Sequence, residues 1–140
     1  MRKMSRSGYV EDMEDQWQLI RWRGAVNQAI KGARGQAFLK EMLAALDALP
    51  EKKLIAGELE EDGAVCALGA VGKARGINME GLDPEESEKV AAVFGIAPAL
   101  AMEVVYMNDE RCFGTPENRY AEMKGWIEAN ILPAPIEAKR

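Results

Sequence analysis

The sequence predicts a mainly all-α fold, a compact orthogonal bundle of about six helices, with room for a short β-hairpin near residues 53–66. Three observations carry this reading. Apolar residues recur at spacings of three and four along most of the chain. Proline and glycine punctuate these runs where helices start and stop. The length, 140 residues with 48% hydrophobic and 29% charged side chains, suits one domain that folds without disulfides or a metal.

Residues 1–12 have no apolar periodicity and read as a flexible N-terminal arm; 13–132 read as a single helical domain. The first helix starts near Asp15. Leu19, Trp22, Val26, Ala29 and Ile30 share one face, and Arg23, Asn27 and Lys31 another. Gly32 and Gly35 bracket a break around Ala33 and Arg34, so a second helix fits 36–48 in an αα-hairpin. Its stripe is Phe38, Met42, Leu43, Leu46 and Leu49, and Pro50 stops it. Over 53–66 no helical face forms; Glu61-Asp62-Gly63 signals a turn, and a hairpin or a loop leading into a helix both fit.

The small apolar run from Ala64 to Gly76 predicts a buried central helix. Asp83-Pro84-Glu85-Glu86 has the pattern of a cap, a first-turn proline and acids, so a helix is expected there, with Val90, Ala91 and Phe94 inward and Gly95 at its end. Another is expected over Pro98–Met107, with Leu100, Val104 and Met107 aligned. Thr115-Pro116 repeats the cap-then-proline start for a last helix carrying Tyr120, Met123, Ile127 and Ile131. Pro133 and Pro135 end regular structure, and 133–140 read as a flexible C-terminal tail.

Composition excludes several chemistries. There is no histidine, so Ser-His-Asp and Cys-His nucleophiles and His-ligated zinc are ruled out. Cys66 and Cys112 stand apart, without disulfide spacing, and read as reduced thiols of a cytoplasmic protein. No apolar run is long enough for a membrane span, and no apolar segment follows Arg2, Lys3 and Arg6 as a secretory signal would need. Neither a metal site nor a cofactor is expected. Gly69, Gly72 and Gly76 lack the Lys-Ser/Thr ending of a phosphate loop. The net charge of −5 is uneven: residues 1–40 carry +4 and residues 41–140 carry −9.

The basic first segment is the candidate binding region. Trp17, Arg21, Arg23, Lys31 and Arg34 combine an aromatic with cations, a set suited to gripping a protein or stacking and pairing with a nucleic acid. The commoner reading of such residues is a solvated face with Trp22 in the core. Cys66 reads as a buried structural cysteine. Asn108-Asp109-Glu110 reads as a helix cap or turn, and Glu58, Glu60, Glu61 and Asp62 as an acidic run without calcium-loop spacing.

The run Asp62-Gly63-Ala64-Val65-Cys66-Ala67-Leu68-Gly69-Ala70, followed later by Met107-Asn108-Asp109-Glu110, resembles a group of uncharacterised small helical proteins of bacteria, phages and prophages. In that group a Gly-x-x-Cys-x-Leu-Gly-Ala stretch precedes an Asn-Asp segment and a Thr-initiated last helix. Gly63, Cys66, Leu68, Gly69, Ala70, Asn108, Asp109 and Thr115 match, and the resemblance spans 38–131. The front segment with Gly24-Ala25-Val26 looks like the phage and prophage members. The resemblance implies no catalytic residues. It implies that Cys66, Gly69, Asn108 and Asp109 act together, with Asn108 and Asp109 hydrogen-bonding the free N–H groups that open the Cys66 helix.

The expectation is a non-enzymatic, phage- or prophage-type protein in the host cytoplasm, binding a host or defence macromolecule through its basic first hairpin. Direct nucleic-acid binding by the same face is the first alternative. An enzyme working through carboxylates at Glu58–Asp62 or Asp109 is the second.

Overall fold

The first two helices meet at one residue. In the computed structural model, which describes residues 16–112 and 114–133, α1 spans Gln16–Lys31 and α2 spans Ala33–Asp47. Only Gly32 leaves helical geometry, at φ −69° and ψ 163°. The expected break from Gly32 to Gly35 is therefore corrected: α2 starts three residues earlier than the sequence suggests, and Gly35 is buried in its first turn. The reason is the tightness of the corner. A Cβ at Gly35 would collide with the Ala29 carbonyl of α1, so only glycine permits this approach. Gln36 locks the corner to the far end of the chain. Its Nε2 donates to the carbonyls of Ile30 at 2.8 Å and Asn130 at 3.0 Å, and its Oε1 accepts the Leu132 N–H at 2.8 Å.

The uncertain stretch contains a hairpin. β1 (Glu60–Glu61) pairs antiparallel with β2 (Ala64–Val65), Glu60 opposite Val65. Asp62 at φ 54° and Gly63 at φ 85° form the turn, and Asp-Gly suits a two-residue loop that needs two positive φ values. Strand pairing therefore takes Ala64 and Val65, which the sequence reading placed both in the possible hairpin over 53–66 and at the start of the next helix.

That helix, α3 (Ala67–Arg75), starts with Cys66 as N-cap and ends at Gly76, left-handed at φ 73°. Ala67 to Gly72 are all buried, as expected of the central element. α4 is Ser87–Phe94. Asp83 does not cap it: its Oδ1 accepts the Glu85 N–H at 2.9 Å and its carbonyl the Glu86 N–H at 3.0 Å, so the cap-and-proline pattern makes a turn before the helix. α5 (Pro98–Tyr106) continues directly into a π turn, Met107–Arg111, where the sequence suggested a stop. Cys112 N–H closes it on the Met107 carbonyl at 3.1 Å. α6 (Pro116–Asn130) begins on Thr115, whose hydroxyl accepts the Asn118 N–H at 3.0 Å.

α2 packs against α1, α3 and α6, while α5 packs against α4, α1 and α3. α4 meets the helical run Pro98–Arg111 at 107°, so this pair crosses near a right angle. One buried apolar cluster runs from Val26 and Ile30 of α1 through α2 to α5 and on to Met123 and Ile127 of α6. The molecule is thus mainly α-helical with one short hairpin. Among the described residues no single helix is long and apolar enough to cross a membrane. The expected arm, residues 1–12, and the tail beyond residue 133 lie outside the described residues.

Candidate functional site

Two groups of residues were singled out by sequence, and they differ in accessibility. The first surrounds the start of α3. Asn108, 1% exposed, sits in the π turn and reaches back to that helix. Its Oδ1 accepts the Ala67 N–H at 3.1 Å. Its Nδ2 donates to the Ile55 carbonyl at 2.9 Å and to Asp109 Oδ1 at 2.8 Å. Its own carbonyl accepts Arg119 Nε at 2.7 Å. One buried amide thus ties the pre-hairpin loop, α3, the π turn and α6 together. Asp109 reaches α3 through Asn108, orienting its amide.

Cys66 Sγ accepts the Gly69 N–H at 3.4 Å. Gly69 is needed because a Cβ there would enter the Leu59 carbonyl. Burial pushes the Cys66 thiol up to about 12, with the Asp109 charge adding to the effect. The thiol therefore stays protonated at neutral pH and is a poor nucleophile. The space between Glu58, Cys66, Asn108 and Asp109 has no room for a water molecule. This cluster holds the fold and admits no substrate.

The second group is on α1. Trp17 is 66% exposed, Ile20 56% and Leu19 39%. Leu19 was expected in the core with Val26. It shares their side of the helix, but residues 17–21 are all exposed and Val26 and Ile30 are the buried positions of α1, so the first turns lie beyond the packed part. Arg21, Lys31 and Arg34 are exposed as expected. Arg23 is not a free grip. Its Nη1 lies 3.2 Å and 3.3 Å from the two carboxylate oxygens of Glu103, which is 3% exposed. Trp22 is partly buried against the core.

Sequence reasoning missed Glu103. The available signal was one carboxylate inside the run Ala101-Met102-Glu103-Val104-Val105, on an otherwise apolar helix. Burial raises its carboxyl above the usual range, against the opposing pull of Arg23. It also missed Arg75, which forks onto Glu41 with two bonds of 2.7 Å, donates to the Phe94 carbonyl at 3.1 Å and lies over the rings of Phe38 and Phe94.

An open groove of about 560 Å³ lies between the loop before β1 and the loop before α4. Glu58, Glu60, Glu80, Asp83 and Glu85 line it, over Leu59 and Met79. All five carboxylate residues are exposed. Glu103, whose carboxyl is raised, is not part of this groove. Among the described residues, no three His, Cys, Asp or Glu side chains are placed to hold a metal ion.

Compared with protein-family models, curated proteins and solved structures, the chain has no match in any of the three.

Proposed function

We propose that this chain is a non-enzymatic interaction protein that docks a macromolecular partner, a host or defence protein, through the outer face of α1. The observation that carries the reading is the concentration of exposed large apolar side chains. Among the described residues there are five, Trp17, Leu19, Ile20, Val93 and Leu132; three of them are in the first turns of α1, and two, Trp17 and Ile20, lie on its outer face. A tryptophan with an adjacent arginine has the composition of a binding anchor. A Cys66 cluster with no room for a substrate supports a binding role over a catalytic one. The phage or prophage setting, and with it the host cytoplasm, rests on the resemblance of the Gly63–Ala70 and Asn108–Asp109 segments.

Direct nucleic-acid binding is the weaker reading of the same face. With Arg23 committed to Glu103, few exposed cations remain on α1, and apolar side chains lie between them.

The test is site-specific photo-crosslinking in bacterial lysate, with the crosslinker at Ile20 and a control at Val93. Discrete protein adducts from Ile20 alone, lost when Trp17→Ala and Arg21→Glu are added, are expected. Arg23 stays unchanged, because it pairs with Glu103 of α5. Identical adducts from both positions, or none from Ile20, would overturn the reading.

A further inference from the structure

We infer that, when no external partner is bound, a second copy of this chain occupies the α1 face, which docks into the acidic groove of the neighbouring copy in a salt-sensitive, head-to-tail contact. This rests on the reading of α1 as a docking surface and names one occupant for it.

The face itself comes first. Trp17, Ile20, Arg21, Gly24, Gln28 and Lys31 recur at spacings of three and four and are all exposed, on the side of α1 away from Val26 and Ile30. α1 contains no Asp or Glu. Among the described residues, neither Arg21 nor Lys31 has an ion pair. The face is therefore basic with an apolar centre.

Gly24 shapes it. A glycine inside a helix costs about 1 kcal/mol relative to alanine. At Gly24 nothing among the described residues demands it: beyond its own helix backbone and chain neighbours, no described atom lies within 4 Å of where a Cβ would be, and its φ is not positive. A missing side chain beside Trp17 and Ile20 leaves room for another backbone to approach closely. Gly125 of α6 is equally open, but no exposed large hydrophobic residue shares its helix.

The groove is the complement. Its five carboxylates have no ion pair among the described residues, and no Lys or Arg lines it. Leu59 and Met79 lie buried beneath it. One surface offers unpaired cations around apolar side chains; the other offers unpaired anions. Within one molecule they cannot meet through this face, because Val26, Ile30 and the Arg23–Glu103 pair hold α1 on the body. Two α1 faces cannot pair favourably with each other either, since both are basic. The match is satisfied between copies. Such a contact uses different patches on the two partners, so each dimer keeps one unused face and one unused groove, and assembly grows or closes into a ring.

Sedimentation velocity of the full chain over a concentration series tests this. At about 0.01 M salt, where charges act over about 30 Å, the average mass should rise with concentration; near 1 M, where the range is about 3 Å, it should return to the monomer. Two variants then separate the surfaces. The face variant carries Trp17→Ala and Arg21→Ala; the groove variant carries Glu60→Lys and Glu80→Lys. All four positions are exposed, and circular dichroism confirms folding. Each variant alone should be monomeric. Mixed in equal amounts they should form a 1:1 dimer and nothing larger, because one contributes the intact face and the other the intact groove. A wild type that is monomeric throughout overturns the inference, and so does a mixture that fails to associate. If the wild type is monomeric but Ile20 still crosslinks to lysate proteins, self-association falls and the docking face stands. If it self-associates but yields no lysate adducts, the external partner falls instead.

Discussion

Asn108 shows what a single buried amide can do. Its Oδ1 supplies the acceptor that the first N–H of α3 lacks, and its Nδ2 fills the Ile55 carbonyl. Replacing it with alanine leaves both backbone groups buried and without these partners. Each such group costs about 1–3 kcal/mol, so Asn108→Ala should lower stability by about 2–4 kcal/mol in urea denaturation. Asn108→Asp should lose more at neutral pH, since it removes the donor to Ile55 and sets a second carboxylate beside Asp109. Equal midpoints for wild type and Asn108→Ala would refute this role. The association of Asn108 with the Cys66 helix was legible only through the resemblance, because residue type alone gives a local cap or turn, and Asn108 and Ala67 lie 41 residues apart. Glu103 was not. A lone carboxylate in an apolar helix gives its face but not its partner, and Arg23 lies on a helix distant in sequence that only tertiary packing brings near.

At the scale of elements, glycines separate local propensity from packing. Gly24 and Gly35 both lie in helical segments, although the sequence reading set Gly35 at the edge of a break. Gly24→Ala meets nothing within 4 Å, so it should gain up to about 1 kcal/mol from helix propensity. Gly35→Ala drives a methyl into the Ala29 carbonyl and should cost about 1–3 kcal/mol or more, because backbone cannot step aside as a flexible side chain does. Thermal melts of the two variants should shift in opposite directions; shifts of the same sign would show that the α1–α2 corner is not as tight as described. The same distinction explains which boundaries the sequence revealed. Gly76, Gly95 and Thr115 act on their own helices, and all three mark ends correctly. Ala64–Val65 pairs as a strand in the hairpin that Glu61-Asp62-Gly63 signalled, while the cap-and-proline pattern at Asp83 is satisfied in a local turn, so pattern alone did not separate a turn from a helix start.

The whole molecule depends on how α1 is docked, since its own buried surface is confined to Val26 and Ile30, helped by Trp22 and Ala29. Glu103, which pairs with Arg23 but is buried, makes this docking depend on pH. Burial holds the Glu103 carboxyl above its ordinary value of 4.5, so the folded chain binds that proton more tightly than the unfolded chain does. The stability associated with the protonated acid is fully present below 4.5 and is lost as pH rises through the raised folded value. Glu41 works in the opposite sense: Arg75 holds it below its ordinary value, and its contribution is lost as pH falls through the folded value. The two are separated by comparing wild type with Glu103→Gln, which keeps Glu41 and leaves position 103 uncharged at every pH. Urea midpoints measured from about pH 4 to about pH 8 should show the wild type losing ground to the variant as pH rises through the Glu103 titration. Parallel profiles would mean that Glu103 titrates alike in the folded and unfolded chain, so that burial and the pull of Arg23 cancel.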